Sequence, residues 1–309
     1  MQIRTDLAME SREFLNKKSG VSSYIFQHGK IEEIHVHVET KEAAKILMKD
    51  CGKYITLTYP NLLYQETGER KELVRILAET IRHMIPAEGD ILIIGLGNRH
   101  ITADALGSRV LDHLMVTRHM SEIAMPGLKG KLRSVCAVAP GVLGITGIET
   151  AEMVHGIVEK IHPSAVIAID ALAARECSRI CSTIQITDTG IRPGSGVGNH
   201  RQGLNRETLG VPVIAIGVPM VVYASVIARD ALAMMMKDIG MNEDEHQSAI
   251  DVLIRRVADD GMGDLVVTPR EVDDLVGRVG RIIADGINKA LHERLTDEEI
   301  AILSNDHLV

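Results

Sequence analysis

Aromatic residues are scarce in this sequence. Its 309 residues include two Phe, five Tyr and no Trp. The core must therefore be built from aliphatic side chains and from the 14 Met residues. A site that stacks bases or sugar rings on aromatic side chains is not expected in such a chain. The length suits one large domain or two ordinary ones.

Positive charge and long apolar runs are also in short supply. Lys and Arg total 34 against 42 Asp and Glu, which gives a formal net charge of −8. Because nucleic acid binding rewards basic surfaces, we predict no direct nucleic-acid partner. No apolar run approaches the roughly 20 residues that span a bilayer, and the N-terminus carries no signal-peptide pattern. The sequence therefore predicts a cytoplasmic protein without a membrane partner.

Cysteine is rare, and its spacing gives little indication of a metal site. The four residues Cys51, Cys136, Cys177 and Cys181 contain no Cys-x-x-Cys motif. Cys177 and Cys181 lie four apart without a matching second pair, so a zinc site is only weakly indicated. We expect buried free thiols in a reducing compartment, and we predict neither a metal nor a cofactor.

Hydrophobic periodicity predicts one integrated α/β domain over residues 1–309. Residues 1–60 show the period-two alternation of strands and a hairpin. Residues 71–219 alternate continuous apolar runs with amphipathic helices, which is typical of a mostly parallel sheet flanked by helices. Residues 220–309 are expected to be largely helical, with a long helix that begins after a Thr268 cap and a Pro269 first position.

The stretch DILIIGLGNRHITADALG, residues 90–107, raises the question of a nucleotide site. A dinucleotide fingerprint needs a third glycine at position 100, which is His100, and an acidic residue ending the next strand. That strand ends in Val-Ala-Pro-Gly at residues 138–141 instead. No Gly-Lys-Ser or Gly-Lys-Thr of a phosphate-binding loop occurs anywhere in the chain. A nucleotide site is therefore disfavoured.

Carboxylates follow three predicted strands. Asp104 follows the strand that ends near residue 94, Asp170 follows the strand at 165–169, and Asp188 precedes a glycine-rich loop at 190–199. Each has a structural alternative: Asp104 in a first helical turn behind a Thr102 cap, and Asp170 as a helix cap. Ligands of open α/β sheets bind beyond the carboxyl ends of the strands. Together the residues therefore predict a site, either an acid–base pair of carboxylates or a divalent-cation site.

Short sequence motifs, spread over almost the whole chain, occur together in a recognisable order. In order they are RTDLA (4–8), GLGN (95–98) with DALG (104–107), GIET (147–150), AIDALA (168–173), DTG (188–190) with PGSGVGN (193–199), PVIAIGVP (212–219) and VTP (267–269). Each block is short, but their joint occurrence in this order is specific. The sequence resembles the spore germination protease family.

The resemblance implies a fold similar to the hydrogenase maturation proteases and a homotetrameric endopeptidase of the spore core. Its activity would initiate the degradation of small acid-soluble spore proteins during germination, and these proteins would be its substrates. The family's proposed catalytic aspartates fall on Asp104 and Asp170, which implies an aspartic-type peptidase. We expect Asp104 to be the ionised member, because a helix N-terminus favours negative charge. Second-tier candidates for substrate binding are Asp188, Gly194, Ser195, Gly196 and Asn199.

The match also has departures. Ala103 and Ser108 stand where the family pattern has proline, and Met220 stands where it usually has threonine. The family is made as a zymogen with a propeptide before the RTDLA block, and three residues precede that block here. Three other functions remain open: a metal-dependent protease at the same carboxylates, a nucleotide- or phosphate-binding enzyme, and a non-catalytic homologue that binds spore proteins.

Overall fold

The computed structural model describes residues 5–12, 20–59, 67–120, 128, 130–192, 202–239 and 265–305. The helices are α1 (Ala8–Arg12), α2 (Lys41–Leu47), α3 (Thr67–Met84), α4 (Leu106–Leu111), α5 (Leu143–Thr146), α6 (Thr150–Ile161), α7 (Arg206–Leu209), α8 (Ala224–Asp238), α9 (Val272–Leu291) and α10 (Asp297–Asn305). The strands are β1 (Val21–His28), β2 (Ile31–Val38), β3 (Gly52–Thr58), β4 (Ile91–Gly95), β5 (Val135–Val138), β6 (Ala165–Ala174), β7 (Thr183–Thr187), β8 (Val213–Tyr223) and β9 (Val266–Val267).

The strands form one mixed sheet in the order β1-β2-β3-β7-β8-β6-β4-β5, with β9 paired to β8. Strands β8, β6, β4 and β5 run parallel to one another. Strand β7 is antiparallel to both β3 and β8, and β1, β2 and β3 form an antiparallel meander. The predicted α/β sheet with flanking helices is confirmed. The parallel part of the sheet is confined to strands β8, β6, β4 and β5.

Helices cover both faces of the parallel strands. Ile93 and Ile167 join a hydrophobic cluster with α3, α4 and α9, whereas Ile94 and Val166 join a second cluster with α6. Neighbouring residues along each strand thus face opposite layers, which explains why these strands are continuously apolar. Burial of each such side chain contributes about 1.5–3 kcal/mol. The first cluster also includes residues of β2 and β3, so it draws on all three predicted parts of the chain.

The long C-terminal helix α9 packs into this core. Gly286 lets it approach α3 closely, since a Cβ there would lie 2.5 Å from a side-chain carbon of Leu77. The predicted cap was wrong: α9 begins at Val272, and the Thr268 hydroxyl donates to the Met220 carbonyl at 2.8 Å. The helical C-terminal segment is confirmed. Among the described helices, none combines the length and apolar character needed to cross a membrane.

Strands β6 and β8 extend well beyond their predicted ends at residues 169 and 216. They remain paired to Ala174 and Val222, with a register shift between Leu172 and Ala173 opposite Pro219. Proline cannot donate a ladder hydrogen bond, so a local irregularity is expected at that point. The small residues after Asp170 suggested a helix, but tertiary pairing continues the strand. Asp170 therefore lies within β6 and is not a helix cap.

Candidate active site

The glycines after β4 allow strand and helix to touch through their backbones. A Cβ on Gly107 would lie 2.4 Å from the Leu96 nitrogen, and one on Gly95 would lie 2.6 Å from the Gly107 oxygen. Gly97 has a φ of +94°, and a Cβ there would lie 2.0 Å from the backbone oxygen of Asp104. The glycine pattern thus serves the close packing of α4 against the end of β4 and brings Asp104 to that end.

Asp104 occupies the last position of a short 3-10 helix, Thr102–Asp104, and is half-buried. Its Oδ2 accepts the backbone N–H of Asn98 at 2.8 Å. The Thr102 hydroxyl donates to Asp273 Oδ1 at 2.7 Å, which ties the turn to α9. Since α4 starts only at Leu106, Asp104 does not lie in its first turn, and the predicted Thr102 cap was wrong.

Asp170 lies inside β6 and is 6% exposed. It stands opposite Gly217 of β8, and its Oδ1 accepts the N–H of Ala171 at 3.0 Å. Immediately before it, the carbonyl of Ile169 accepts the N–H of Leu96 at 2.8 Å. The first residue after β4 is therefore bonded directly to the residue before Asp170.

The predicted pair of aspartates thus comes from neighbouring strands at one edge of the sheet. The 3-10 turn that ends in Asp104 contacts β6, β8 and α9. Asp104 follows the carboxyl end of β4, and Asp170 lies in β6 one residue past the last residue that pairs with β4. The region beyond the carboxyl ends of parallel strands is where α/β folds bind ligands. A half-buried carboxylate and a buried one differ in the cost of ionisation, which would let the pair divide into a base and an acid.

The expectation that Asp188 shares this edge was wrong. Strand β7 is antiparallel to β8, with Thr187 opposite Ala215 and Gln185 opposite Gly217. Its carboxyl end therefore points to the edge of the sheet away from Asp170. Asp188 Oδ1 accepts the N–H of Lys53 at the start of β3, at 2.8 Å. The other substrate-binding candidates, Gly194, Ser195, Gly196 and Asn199, lie outside the described residues.

Comparison with known proteins decides the family. The model of the germination protease family matches residues 3–258 and 251–304. The chain belongs to the germination protease family. A germination protease of Clostridium perfringens is 41% identical, with 96% of this chain and 98% of the relative covered. One from Bacillus cereus is 37% identical, with 96% and 95% covered.

One solved structure also matches, at lower similarity. The [NiFe] hydrogenase maturation protease HycI of Thermococcus kodakarensis matches with a TM-score of 0.32 and 17% identity. The match covers 67% of this chain and 98% of the other. The full-length relatives, by contrast, support a germination-related protease.

In this chain, residues 5–8 of the RTDLA block support the strand that carries Asp170. The N–H of Asp6 donates to the carbonyl of Ala173 at 3.1 Å, and the N–H of Ala173 donates to Asp6 Oδ2 at 2.9 Å. The buried Glu10 carboxylate accepts the N–H groups of Arg175 and Glu176 at 3.0–3.1 Å. Burial raises the pKa of Glu10. The N-terminal segment thus holds the end of β6 just past the buried aspartate.

Two side chains outside the N-terminal segment form hydrogen bonds with its backbone. Lys49 Nζ donates to the carbonyls of Thr5 and Asp6 at 3.0 and 2.8 Å, and burial lowers the pKa of Lys49. Gln185 Nε2 donates to the Asp6 carbonyl, and its Oε1 accepts the N–H of Ala8 at 2.7 Å. No periodicity marks Lys49 or Gln185, because their partners are backbone atoms more than 40 residues away in the chain.

The departures from the family pattern leave both aspartates in place. Ser108 is buried within α4, and its hydroxyl donates to the Ala105 carbonyl at 2.9 Å. Met220 is fully buried, with its sulfur 3.8 Å from Cys181 Sγ. Ala103 lies half-buried in the 3-10 turn before Asp104. The Ser108 hydroxyl thus makes a side-chain hydrogen bond that a proline at this position could not make. The Met220 side chain fills space in the core.

Metal-ligating side chains do not converge in the part of the chain that the structure describes. No group of three or more His, Cys, Asp or Glu there could hold a metal ion. The cysteines are free, as predicted, but Cys51 and Cys177 are exposed, so the expectation of burial was wrong for these two.

Proposed function

We propose that this chain is an endopeptidase that initiates the degradation of small acid-soluble spore proteins during germination. Family membership supports a germination-related protease. The observation that carries the choice of residues is the hydrogen bond from Leu96 to Ile169, which joins the turn that leads to Asp104 with the strand that carries Asp170. We therefore propose Asp104 and Asp170 as the catalytic residues of an aspartic-type reaction.

In the proposed reaction, one water molecule lies between the two carboxylates and the scissile peptide. Asp104 is the more exposed residue and accepts a backbone N–H, which suits an ionised group, so it removes a proton from the water. The hydroxide attacks the carbonyl carbon. Asp170, buried at 6% exposure, holds a proton and gives it to the leaving amide nitrogen as the C–N bond breaks. Proton transfer by both residues requires hydrogen-bond reach to the same water and peptide.

The biological setting follows from the same proposal. The substrates would be small acid-soluble proteins in the cytoplasm of the spore core, and the enzyme would act there as a homotetramer made as a zymogen. Asp188, Gly194, Ser195, Gly196 and Asn199 remain proposed substrate contacts. Asp188 would contact a part of the substrate that reaches the opposite edge of the sheet.

Cleavage of a purified small acid-soluble spore protein, analysed by mass spectrometry, tests the proposal. We expect the wild-type chain to make a discrete internal cut that a chelator does not prevent, and Asp104→Asn and Asp170→Asn to make none. Asp112→Asn is the matched control, because Asp112 follows the neighbouring helix and forms an exposed ion pair with Arg99 at 2.6 Å. The control should cut at the wild-type rate.

Three results would contradict the proposal. A cut that is lost on chelation and restored by one added metal would make the carboxylates part of a metal-dependent protease. Binding of the spore protein without any cut would indicate a non-catalytic homologue. A nucleotide that raises the melting temperature would point instead to a nucleotide-binding enzyme.

A further inference from the structure

Strand β6 continues past the end of its neighbour β4. The last residue of β4, Gly95, pairs with Ile169, whereas β6 runs on to Ala174 beside β8. On the side of β8, the N–H of Val166 donates to the carbonyl of Pro212 at 2.9 Å. Because successive residues direct their backbone groups to opposite sides of a strand, the odd-numbered residues of β6 face the side of β4. Past Ile169, none of the described strands covers that side.

Two other parts of the chain bind the ends of this uncovered side. At one end the carbonyl of Ile169 accepts the N–H of Leu96 at 2.8 Å. At the other end the N–H of Ala173 donates to Asp6 Oδ2 at 2.9 Å, and the Ala173 carbonyl accepts the N–H of Asp6 at 3.1 Å. The step from residue 169 to residue 173 corresponds to about 13 Å along a strand. Ala171 is the one odd-numbered residue between these two contacts.

Ala171 presents a backbone acceptor at this opening. Its N–H donates to Asp170 Oδ1 at 3.0 Å. Within the part of the chain that the structure describes, no N–H or hydroxyl donates to its carbonyl. Ala171 is half-buried, whereas Asp170 and Leu172 on either side of it are buried at 6% and 7% exposure. Backbone groups in such surroundings nearly always have a hydrogen-bond partner, so this carbonyl is a position at which a ligand can donate.

The proposed catalytic carboxylates border the same opening. Gly97 follows Leu96 directly, and the backbone oxygen of Asp104 occupies the place of a Cβ on Gly97. The turn that ends in Asp104 contacts β6. Asp170 Oδ1 binds the N–H of the same residue whose carbonyl is open. A peptide that donates to the Ala171 carbonyl would therefore lie beside both aspartates.

We propose that the Ala171 carbonyl accepts a backbone N–H of the substrate and holds the peptide in an extended form between Leu96 and Asp6. The inference rests on the proposed function, because it describes how the same site holds its substrate. The donor is an N–H next to the scissile amide, since the scissile nitrogen faces Asp170 in the proposed reaction. Main-chain pairing at an open strand edge does not depend on side chains. Ala171 therefore fixes the position of the peptide and not its sequence.

An ester scan of the substrate tests this bond. In a peptide that spans the cut, each amide other than the scissile one is replaced in turn by an ester, which removes one N–H. We expect one ester within two residues of the scissile bond to lower kcat/KM about three- to tenfold, the size of effect of a single hydrogen bond. Esters farther from the cut are the control, because they weaken a carbonyl in the same way. They should stay within about twofold of the all-amide peptide.

The carbonyl of the enzyme can be weakened in the same way. Replacement of Leu172 by its α-hydroxy acid turns the bond after Ala171 into an ester, whose carbonyl is a poorer acceptor, and removes an N–H that faces β8. The same exchange at Ala168 weakens the Ile167 carbonyl and also removes an N–H that faces β8, so it is the matched control. We expect the ester at Leu172 to lower kcat/KM about three- to tenfold relative to the control. The sensitive peptide ester should then cost less than about twofold more, because the bond is already lost.

Two results would overturn the bond to Ala171 and leave the proposed function standing. The first is a scan in which no peptide ester costs more than about twofold, and the second is a pair of losses that multiply when both esters are combined. A wild-type chain that binds the peptide but leaves it whole would contradict the proposed function instead. The same esters, compared by their dissociation constants, would then still decide whether Ala171 accepts the bond.

Discussion

Gly97 fixes the place of Asp104 through backbone contact alone. Its φ of +94° lies where residues with a side chain are strained, and the space for a Cβ is already occupied by the Asp104 backbone oxygen. The Asp104 carboxylate accepts a hydrogen bond from the backbone N–H of Asn98, the residue that follows Gly97. The proposed catalytic carboxylate is thus positioned by a residue that has no side chain.

Replacement of Gly97 should therefore disturb chemistry as well as stability. We expect Gly97→Ala to lose about 1–3 kcal/mol from backbone strain, with a further loss from the collision with Asp104. The proteolytic kcat should fall at least roughly tenfold, since small misplacements of a reacting group are costly. Gly29→Ala is the matched control, with a φ of +60° and nothing within 4 Å of the added Cβ. It should lose stability but keep its kcat; an unchanged kcat in Gly97→Ala would contradict the account.

At the scale of elements, the site depends on strands that continue past their apolar runs. The sequence was sufficient to predict the hairpin β1–β2 and the buried strands, whereas Asp104 and Asp170 as a catalytic pair stay a prediction. It could not predict that β6 continues through Asp170, because the Ala-Leu-Ala that follows has helical propensity and the pairing with β8 is non-local. The direction of β7 could not be predicted either, because hydrophobic periodicity does not encode strand direction. The prediction that Asp188 lies at the same edge as Asp170 was wrong for that reason.

We expect the N-terminal segment that contains Asp6 and Glu10 to stabilise the end of β6. We expect Glu10→Ala to leave the part-buried N–H groups of Arg175 and Glu176 without their carboxylate acceptor, at a cost of up to about 1–3 kcal/mol for each group. Amide hydrogen exchange over residues 170–176 should become faster, and kcat/KM should fall.

Glu10→Gln is the control for that experiment. Its amide oxygen can still accept a hydrogen bond, so it should retain more protection and more activity than Glu10→Ala. Equal exchange rates in wild type and Glu10→Ala would show that the segment does not hold β6.

For the whole molecule, acid stability should depend on a buried histidine. His292, at the end of α9, is 1% exposed, and burial lowers its pKa to about 4. Its Nδ1 accepts the N–H of Arg133 at 3.3 Å, which requires the neutral ring. The unfolded chain binds this proton near pH 6.5, so the unfolded state gains protons first as the pH falls. Stability from this group is complete above that pH and is lost as the pH falls toward 4.

Urea denaturation between pH 7 and pH 4 measures this effect. We expect the free energy of unfolding to fall by about 3 kcal/mol through His292. His292→Asn keeps an acceptor but does not titrate, so its curve should be flatter over this range. Glu10 acts with the opposite sign: its pKa is raised, so the folded state holds that proton more tightly, and its contribution declines as the pH rises above about 4.5. Equal slopes for wild type and His292→Asn would contradict the assignment.

Also for the whole molecule, composition and periodicity indicated an α/β fold with an aliphatic core, and both are present. The contacts of the N-terminal block with β6 could not be predicted from the sequence. They join backbone atoms far apart in the chain, through Lys49 and Gln185, which stand in no recognisable pattern. The exposed edge of β1 was equally hidden, because alternation alone does not say which hairpin strand lies outside.

The central claim is that Asp104 and Asp170 act as one acid–base unit. The most direct test is kcat for cleavage of a small acid-soluble spore protein by wild type, Asp104→Asn, Asp170→Asn and the double variant. We predict that each single variant loses a factor of about 10²–10⁴ and that the double variant is no slower than the slower single variant, because the two groups serve one step. A single variant within about threefold of wild type, or losses that multiply in the double variant, would contradict the claim.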